Sequence, residues 1–277
     1  MSNLLRRLLT AFVFGPIILS LMYIAPPVGF TVFVAIAVGI AAWELFSLSH
    51  PDSLGRAIGV LVTVGYYFVV RYTDFGRLHG SIFALATALL SPIALLLTLV
   101  RPQRIAHALV EVGTFVLSPL YVGAMMATVP LMLDIGTRTQ GAGLVLLTLM
   151  IAWLSDTVAM GFGKLFQGPK LYPAVSPNKT WSGALGGLLG SMLGALIAHF
   201  GYLPSLPLGK GLAVAVIAGV VGQAGDLCES VLKRAVGVKD SGAVLPGHGG
   251  FLDRIDALTF ASATVYLALR AGWLTLQ

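Results

Sequence analysis

A chain of 277 residues that is 57% hydrophobic and only 10% charged is not an ordinary soluble domain, in which about a quarter of residues carry charge. With a mean hydropathy of +0.92 it belongs to the integral membrane proteins. The net charge of +6 does not mark a nucleic-acid binder, because the 17 lysines and arginines lie at the ends of apolar segments and form no single patch. A single cysteine, Cys228, excludes an intramolecular disulfide and a four-cysteine zinc site, and reads as a small filler rather than a nucleophile.

In chain order, Arg6 and Arg7 precede an apolar run that looks like a secretory signal. The run exceeds a signal-peptide core and the PPVGF after it offers no small-x-small cleavage site, so it is read as a first membrane helix. Crossing a bilayer takes about 20 apolar residues. Spans are accordingly expected near 8–25, 28–48, 56–71, 80–100, 107–133 (broken by Pro119), 141–162, 181–202, 208–227 and 255–275. The expectation is an all-α, polytopic integral membrane protein of about nine transmembrane helices. It would form one membrane-embedded domain over 1–277, with a helical part over 1–140 and a site-bearing part over 141–277. A cytoplasmic N-terminus puts 12 of the 17 cations inside, in accord with the positive-inside rule. It also brings two polar loops, about 163–180 and 228–254, to the cytoplasmic side, where they could build one site. The outer connections, such as Pro26-Pro27 and GYLPSLPLGK, read as tight turns. Glu44 and Glu111 lie within apolar runs and read as interior hydrogen-bonding residues near the interface, not as catalytic groups. The small residues of GALGGLLGSMLGALIA suit close helix packing.

The two polar loops hold the candidate chemistry. At 3.6 residues per turn, Asp226, Glu229, Ser230 and Lys233 share a helix face. Asp226 is expected near a helix C-terminus, where the macrodipole disfavours an anion, so Lys233 or a bound metal should offset it. Asp253 and Asp256 stand three apart at the opening of the last span; one could serve as a helix cap, and the second is surplus. With Asp226 they could supply hard oxygen ligands, and Mg2+ suits one or two carboxylates with waters and phosphate oxygens. Lys233, Arg234, Lys239 and His248, in a Pro246-Gly247-His248-Gly249-Gly250 turn, combine cations with exposed backbone N–H groups, as a polyphosphate requires. The alternative for Lys233 and Arg234 is juxtamembrane charge that fixes topology, and for His248 a structural turn residue. In the other loop, Asp156 ends the sixth span and Lys179 opens the seventh; pairing of Asp156 with a nearby lysine is its plain structural alternative. GFGKLFQG lacks the spacing of a P-loop.

The segment from Ser230 to Asp256 resembles the C-terminal signature of the phosphatidate cytidylyltransferases, the CDP-diglyceride synthases. Ser230, Lys233-Arg234, Lys239-Asp240, Gly242, Leu245, Pro246, His248-Gly249-Gly250, Phe251, Asp253-Arg254, Ile255 and Asp256 fill the pattern in register. GDLCES, the S-D-T-x-A stretch and SPNKTW upstream are also similar, while Met160 and Ser182 depart from the usual residues. The resemblance implies transfer of the cytidylyl group of CTP to phosphatidic acid, giving CDP-diacylglycerol and pyrophosphate in phospholipid biosynthesis. It implies Mg2+, leaving open a second, monovalent cation, and an inner-membrane enzyme with its site facing the cytoplasm. It further implies a homodimer and no nucleic-acid partner. Asp226, Asp253, Asp256, Lys239 and Asp240 are then the catalytic candidates, with Asp226 and Asp253 on the metal. Asp156, Lys179, Ser230, Lys233, Arg234, His248 and Arg254 are the substrate-binding candidates. The rival is a CTP-dependent polyprenol or lipid kinase, which would release CDP instead of pyrophosphate. A transporter is disfavoured by acids at helix ends and by the lack of an internal repeat.

Overall fold

A computed structural model describes residues 15–50, 52–73, 77–99, 102–242 and 249–277. The expected first span lies partly outside these residues, and within them 15–23 is helical. The helices that follow are α1 (Pro27–Ser47), α2 (Ser53–Tyr72), α3 (Arg77–Leu99), α4 (Ala108–Ser118), α5 (Met125–Met132), α6 (Arg138–Phe166), α7 (Trp181–Ile197), α8 (Leu208–Ala235) and α9 (Leu252–Arg270). Seven helical segments among the described residues are long and apolar enough to cross a membrane, so the chain is an all-α, multi-pass membrane protein. Helix α9 forms where the ninth span was expected but is not one of the seven; Asp253, Arg254 and Asp256 fall in its first turns.

Pro119 interrupts the expected fifth span as anticipated. It has no N–H to continue the helical ladder, and the chain from Pro119 to Ala124 opens into a π-helical turn between α4 and α5. The whole stretch Ile105–Met132 still has the length of one crossing.

Two compact units emerge. One comprises the chain up to Phe30, Thr128–Lys239 and Asp253–Gln277; the other comprises Thr31–Ala127 and Asp240–Leu252. In the second unit, Asp52 caps α2 by accepting the Gly55 N–H at 2.7 Å. Ala42, Phe46, Ala94 and Phe115 form its buried cluster. Two of its buried hydroxyl contacts are internal, Thr63 with Ser118 at 2.9 Å and Tyr67 donating to the Thr31 carbonyl at 2.8 Å, as suits a lipid-embedded fold.

The first unit carries the longer helices. Thr137 and Gln140 cap the start of α6 reciprocally, side chain to backbone in both directions. Arg138 donates to the carbonyls of Leu21 and Ala25, each at 2.8 Å, at the end of the first described helix, where free carbonyls favour a cation. Helix α7 approaches α8 and α6 closely through glycine: a Cβ on Gly187 would lie 2.5 Å from Gln223 Nε2 of α8 and 3.0 Å from Ser155 Oγ of α6.

Two expectations needed revision. The loop 163–180 is not irregular: α6 runs on to Phe166 and stops at Gln167 and Gly168, both with positive φ. An antiparallel hairpin then follows, β1 (Lys170–Tyr172) pairing with β2 (Ser176–Thr180). Thr180 ends β2 and caps α7 through the Gly183 N–H at 3.1 Å. Likewise α8 continues past 227 to Ala235, because CESVLKRA carries no breaker before Gly237. Asp156 and Asp226 therefore sit inside continuous helices, not at helix ends.

Candidate active site

A cavity of about 540 Å3 lies between α6, the hairpin, α7 and α8. Asp156 enters it from α6, Asn178 and Lys179 from β2, and Gln223 and Asp226 from α8. Ala159, Met160, Leu171 and Ala184 give it an apolar wall. Gly183 lies at its α6–α7 edge, where an added Cβ would sit 3.0 Å from the Ala159 carbonyl. The sequence separates Asp156, Lys179 and Asp226 by dozens of positions, and the fold brings all three to one concavity.

Lys179 Nζ lies 2.5 Å from Asp226 Oδ2, with both side chains about 30% exposed (28% and 30%). Lys179, and not Lys233, is thus the cation that offsets Asp226. The reason is the unbroken helix: Lys233 lies two turns along α8 and reaches other acids. Asp226, Lys179 and Arg254 all act electrostatically on Asp156, which places the α9 arginine near the same group. Asp256 is buried and accepts the Ala257 N–H at 2.7 Å, and it feels Asp226, Glu229 and Asp156. Carboxylates of α6 and α8 thus converge electrostatically on Asp256 of α9.

A second cluster lies further along α8, toward its C-terminal end. Lys233 bridges Glu229, one turn before it, and Asp253 of α9 at 2.5 Å. All three side chains are at most 11% exposed. Ser230 is buried beside them. Arg234 donates to the backbone carbonyls of Val238 at 2.6 Å and Val175 at 3.3 Å, so it clamps the hairpin turn and the exit of α8. Lys239, Asp240 and Arg254 are exposed, and none of them lines the cavity. His248 lies outside the described residues.

Sequence reasoning passed over Gln223 and underused Glu229. Gln223 donates to the Ala184 carbonyl at 3.1 Å, which ties α8 to α7 at the cavity. It stands one turn before Asp226, a spacing that could have flagged it.

The donor chemistry bears on a metal. Among the described residues no three His, Cys, Asp or Glu side chains form a ready metal cage. Mg2+ does not need one: it binds through one or two carboxylates and completes its shell with waters and phosphate oxygens. Coupled acids around Asp226, hard and oxygen-only, fit that mode.

Fold and site together define a multi-pass membrane protein with a charged, apolar-walled cavity set among its helices. Residues 5–271 match the cytidylyltransferase family, and the chain belongs to that family. It is 36% identical over 273 residues to the phosphatidate cytidylyltransferase of Brucella abortus, covering 96% of this chain and 93% of that one. Over 279 residues it is 33% identical to the phosphatidate cytidylyltransferase of Pseudomonas aeruginosa, covering 97% and 98% of the two chains. The enzyme of the same name from Staphylococcus haemolyticus is 44% identical over 124 residues, covering 45% and 48%.

Proposed function

We propose that this protein transfers the cytidylyl group of CTP to phosphatidic acid, forming CDP-diacylglycerol and releasing pyrophosphate. The observation that carries the reading is the cavity itself: Lys179, Asp226 and Asp156 converge beside an apolar wall, and the family and its relatives' names supply the reaction. A lipid with a phosphate head needs both surfaces.

A phosphate oxygen of phosphatidic acid attacks the α-phosphorus of CTP. The new P–O bond forms as the bond to the α–β bridging oxygen breaks, and pyrophosphate leaves with that electron pair. The lipid phosphate is already anionic near neutral pH, so the protein needs no strong base; its work is alignment and charge neutralisation. Lys179 binds a phosphate in the cavity, and Asn178 and Gln223 orient it. Lys233, Arg254, Lys239 and the segment carrying His248 serve the triphosphate side. Ser230 and Arg234 hold that side in place, and Asp240 supports the loop. Mg2+, when bound, would supply charge neutralisation on the CTP phosphates. Asp226 and Asp253 would hold it, with Asp256 in support; Asp253 would then share its carboxylate with Lys233. A monovalent cation is a further candidate at the same acids. The proposal includes a site that faces the cytoplasm at the inner membrane, supported by the excess of cations on that side, and pairing with a second copy.

The test uses purified protein, phosphatidic acid and CTP labelled at the α- or γ-phosphate. Pyrophosphate and labelled CDP-diacylglycerol are the expected products; CDP with a phosphorylated lipid would instead establish a kinase. Asp226→Asn should cut turnover by about 100-fold or more, the scale of losing one charged group at a reacting phosphate. Near wild-type turnover in folded Asp226→Asn would overturn the role given to that residue.

A further inference from the structure

Glu44 lies on α1, 2% exposed, in an otherwise apolar stretch. Burying a carboxylate is costly unless its oxygens are satisfied. Among the described residues no lysine or arginine pairs with it. Instead, Oε2 accepts two hydrogen bonds from the signature segment, the Ser241 hydroxyl at 3.1 Å and the Leu252 backbone N–H at 2.8 Å. Ser241 and Leu252 bracket the run that contains His248, Gly249 and Gly250. Leu252 is the first residue of α9, so its N–H is one of the donors that a helix cannot satisfy internally. Glu44 supplies the missing acceptor from 208 positions away, and an anion there is favoured by the helix dipole.

Two signature glycines are shaped to this carboxylate. A Cβ on Gly242 would stand 2.5 Å from Glu44 Oε1, and one on Gly250 would collide first with the Ser241 hydroxyl and then, at 2.8 Å, with Glu44 Oε2. Glu44 thus packs directly against Gly242, and together with Ser241 against Gly250. Oε1 has no hydrogen-bond partner among the described residues, although it is fully buried. A group of that kind is retained for something other than packing, since a neutral side chain would fill the volume at lower cost.

We propose that Glu44 is a positioning residue for cytidylyl transfer: its carboxylate fastens both ends of the 241–252 loop and thereby sets where α9 begins. The residues that follow Leu252 in the chain are Asp253, Arg254 and Asp256. Shifting the start of α9 by a fraction of a turn would re-aim all three. The inference rests on the reading that this segment handles the CTP phosphates.

The test compares Glu44→Gln, Ser241→Ala and the double variant, as full-length protein in detergent, by pyrophosphate release and thermal unfolding. Glu44→Gln keeps the shape but turns one acceptor into an NH2 group. The expected result is a drop in kcat of about 10- to 100-fold, the cost of misplaced groups. KM for CTP and phosphatidic acid should stay within about twofold, and the unfolding midpoint should remain close to wild type. Ser241→Ala should show a smaller drop in the same direction. The double variant should be no slower than Glu44→Gln alone, because the two changes break one contact. Should Glu44→Gln fail to fold, Ser241→Ala alone carries the kcat-against-KM comparison. Wild-type kcat in either folded variant, or activity loss that merely follows the unfolded fraction, overturns the inference. Asp226→Asn in the same assay separates the two readings. An inactive Asp226→Asn beside a fully active Glu44→Gln removes the role of Glu44 alone, whereas an active Asp226→Asn removes the site on which it depends.

Discussion

Lys233 holds two carboxylates at once, Glu229 on its own helix and Asp253 on α9, in a setting that is almost dry. Removing one partner of a buried ion cluster leaves the others uncompensated, at a cost of about 3–5 kcal/mol. Lys233→Met should therefore destabilise the protein on that scale in chemical unfolding, and adding Glu229→Gln should recover part of the loss. If Lys233→Met unfolds like wild type while losing activity, the lysine serves substrate rather than architecture. At this scale the sequence was legible where charge stood out from oil: Asp156, Lys179, Asp226, Lys233 and the Asp253–Asp256 pair were all visible as expensive residues. The partners were not legible. Lys179 pairs with Asp226 because a hairpin swings it there, which no spacing within either segment could disclose. Glu44 was visible as a buried acid, but its partners are some 200 positions distant, so its task was hidden.

The helices were foreseen by their apolar runs, and their ends were not. Hydropathy marks where a chain enters lipid, whereas a helix ends where capping and glycine conformation stop it. Accordingly α6 and α8 overrun the expected limits by about one and two turns, to Phe166 and Ala235 respectively. The hairpin over 170–180 was missed because SPNKT has little strand propensity; its pairing and the cap at Thr180 give it form. The close approach of α6, α7 and α8 makes a sharp contrast testable. Gly187→Leu should overpack Ser155 and Gln223 and lower stability by about 1–3 kcal/mol. Gly161→Ala, where an added Cβ meets nothing within 4 Å, should leave stability unchanged or raise it by about 0.5–1 kcal/mol. Thermal unfolding of the two variants in one detergent decides the matter, and equal losses would mean that the glycine contacts are not what joins these helices.

For the whole molecule, the multi-pass, all-α character followed from composition alone, while a division into two units did not, because each unit is assembled from separated stretches of chain. The orientation inferred from charge is open to a direct check. In a Cys228→Ser background, Lys239→Cys should react with a membrane-impermeant maleimide only in inverted vesicles, and Lys210→Cys only in right-side-out ones; both side chains are exposed. The reverse pattern would put the site on the other face. The lengths of two helices add a matter of depth. Helix α6 has 29 residues and α8 has 28, so at about 1.5 Å per residue each extends past a hydrocarbon layer of about 30 Å. Asp156 and Asp226 each lie 18 residues beyond the first residue of their helix, about 27 Å along it. A helix that enters a hydrocarbon layer of about 30 Å at its first residue carries a group about 27 Å along it close to the far headgroups. Carboxylates at such a depth would meet a lipid's phosphate with its acyl chains still in the bilayer, and the reaction would ask for no extraction of the substrate.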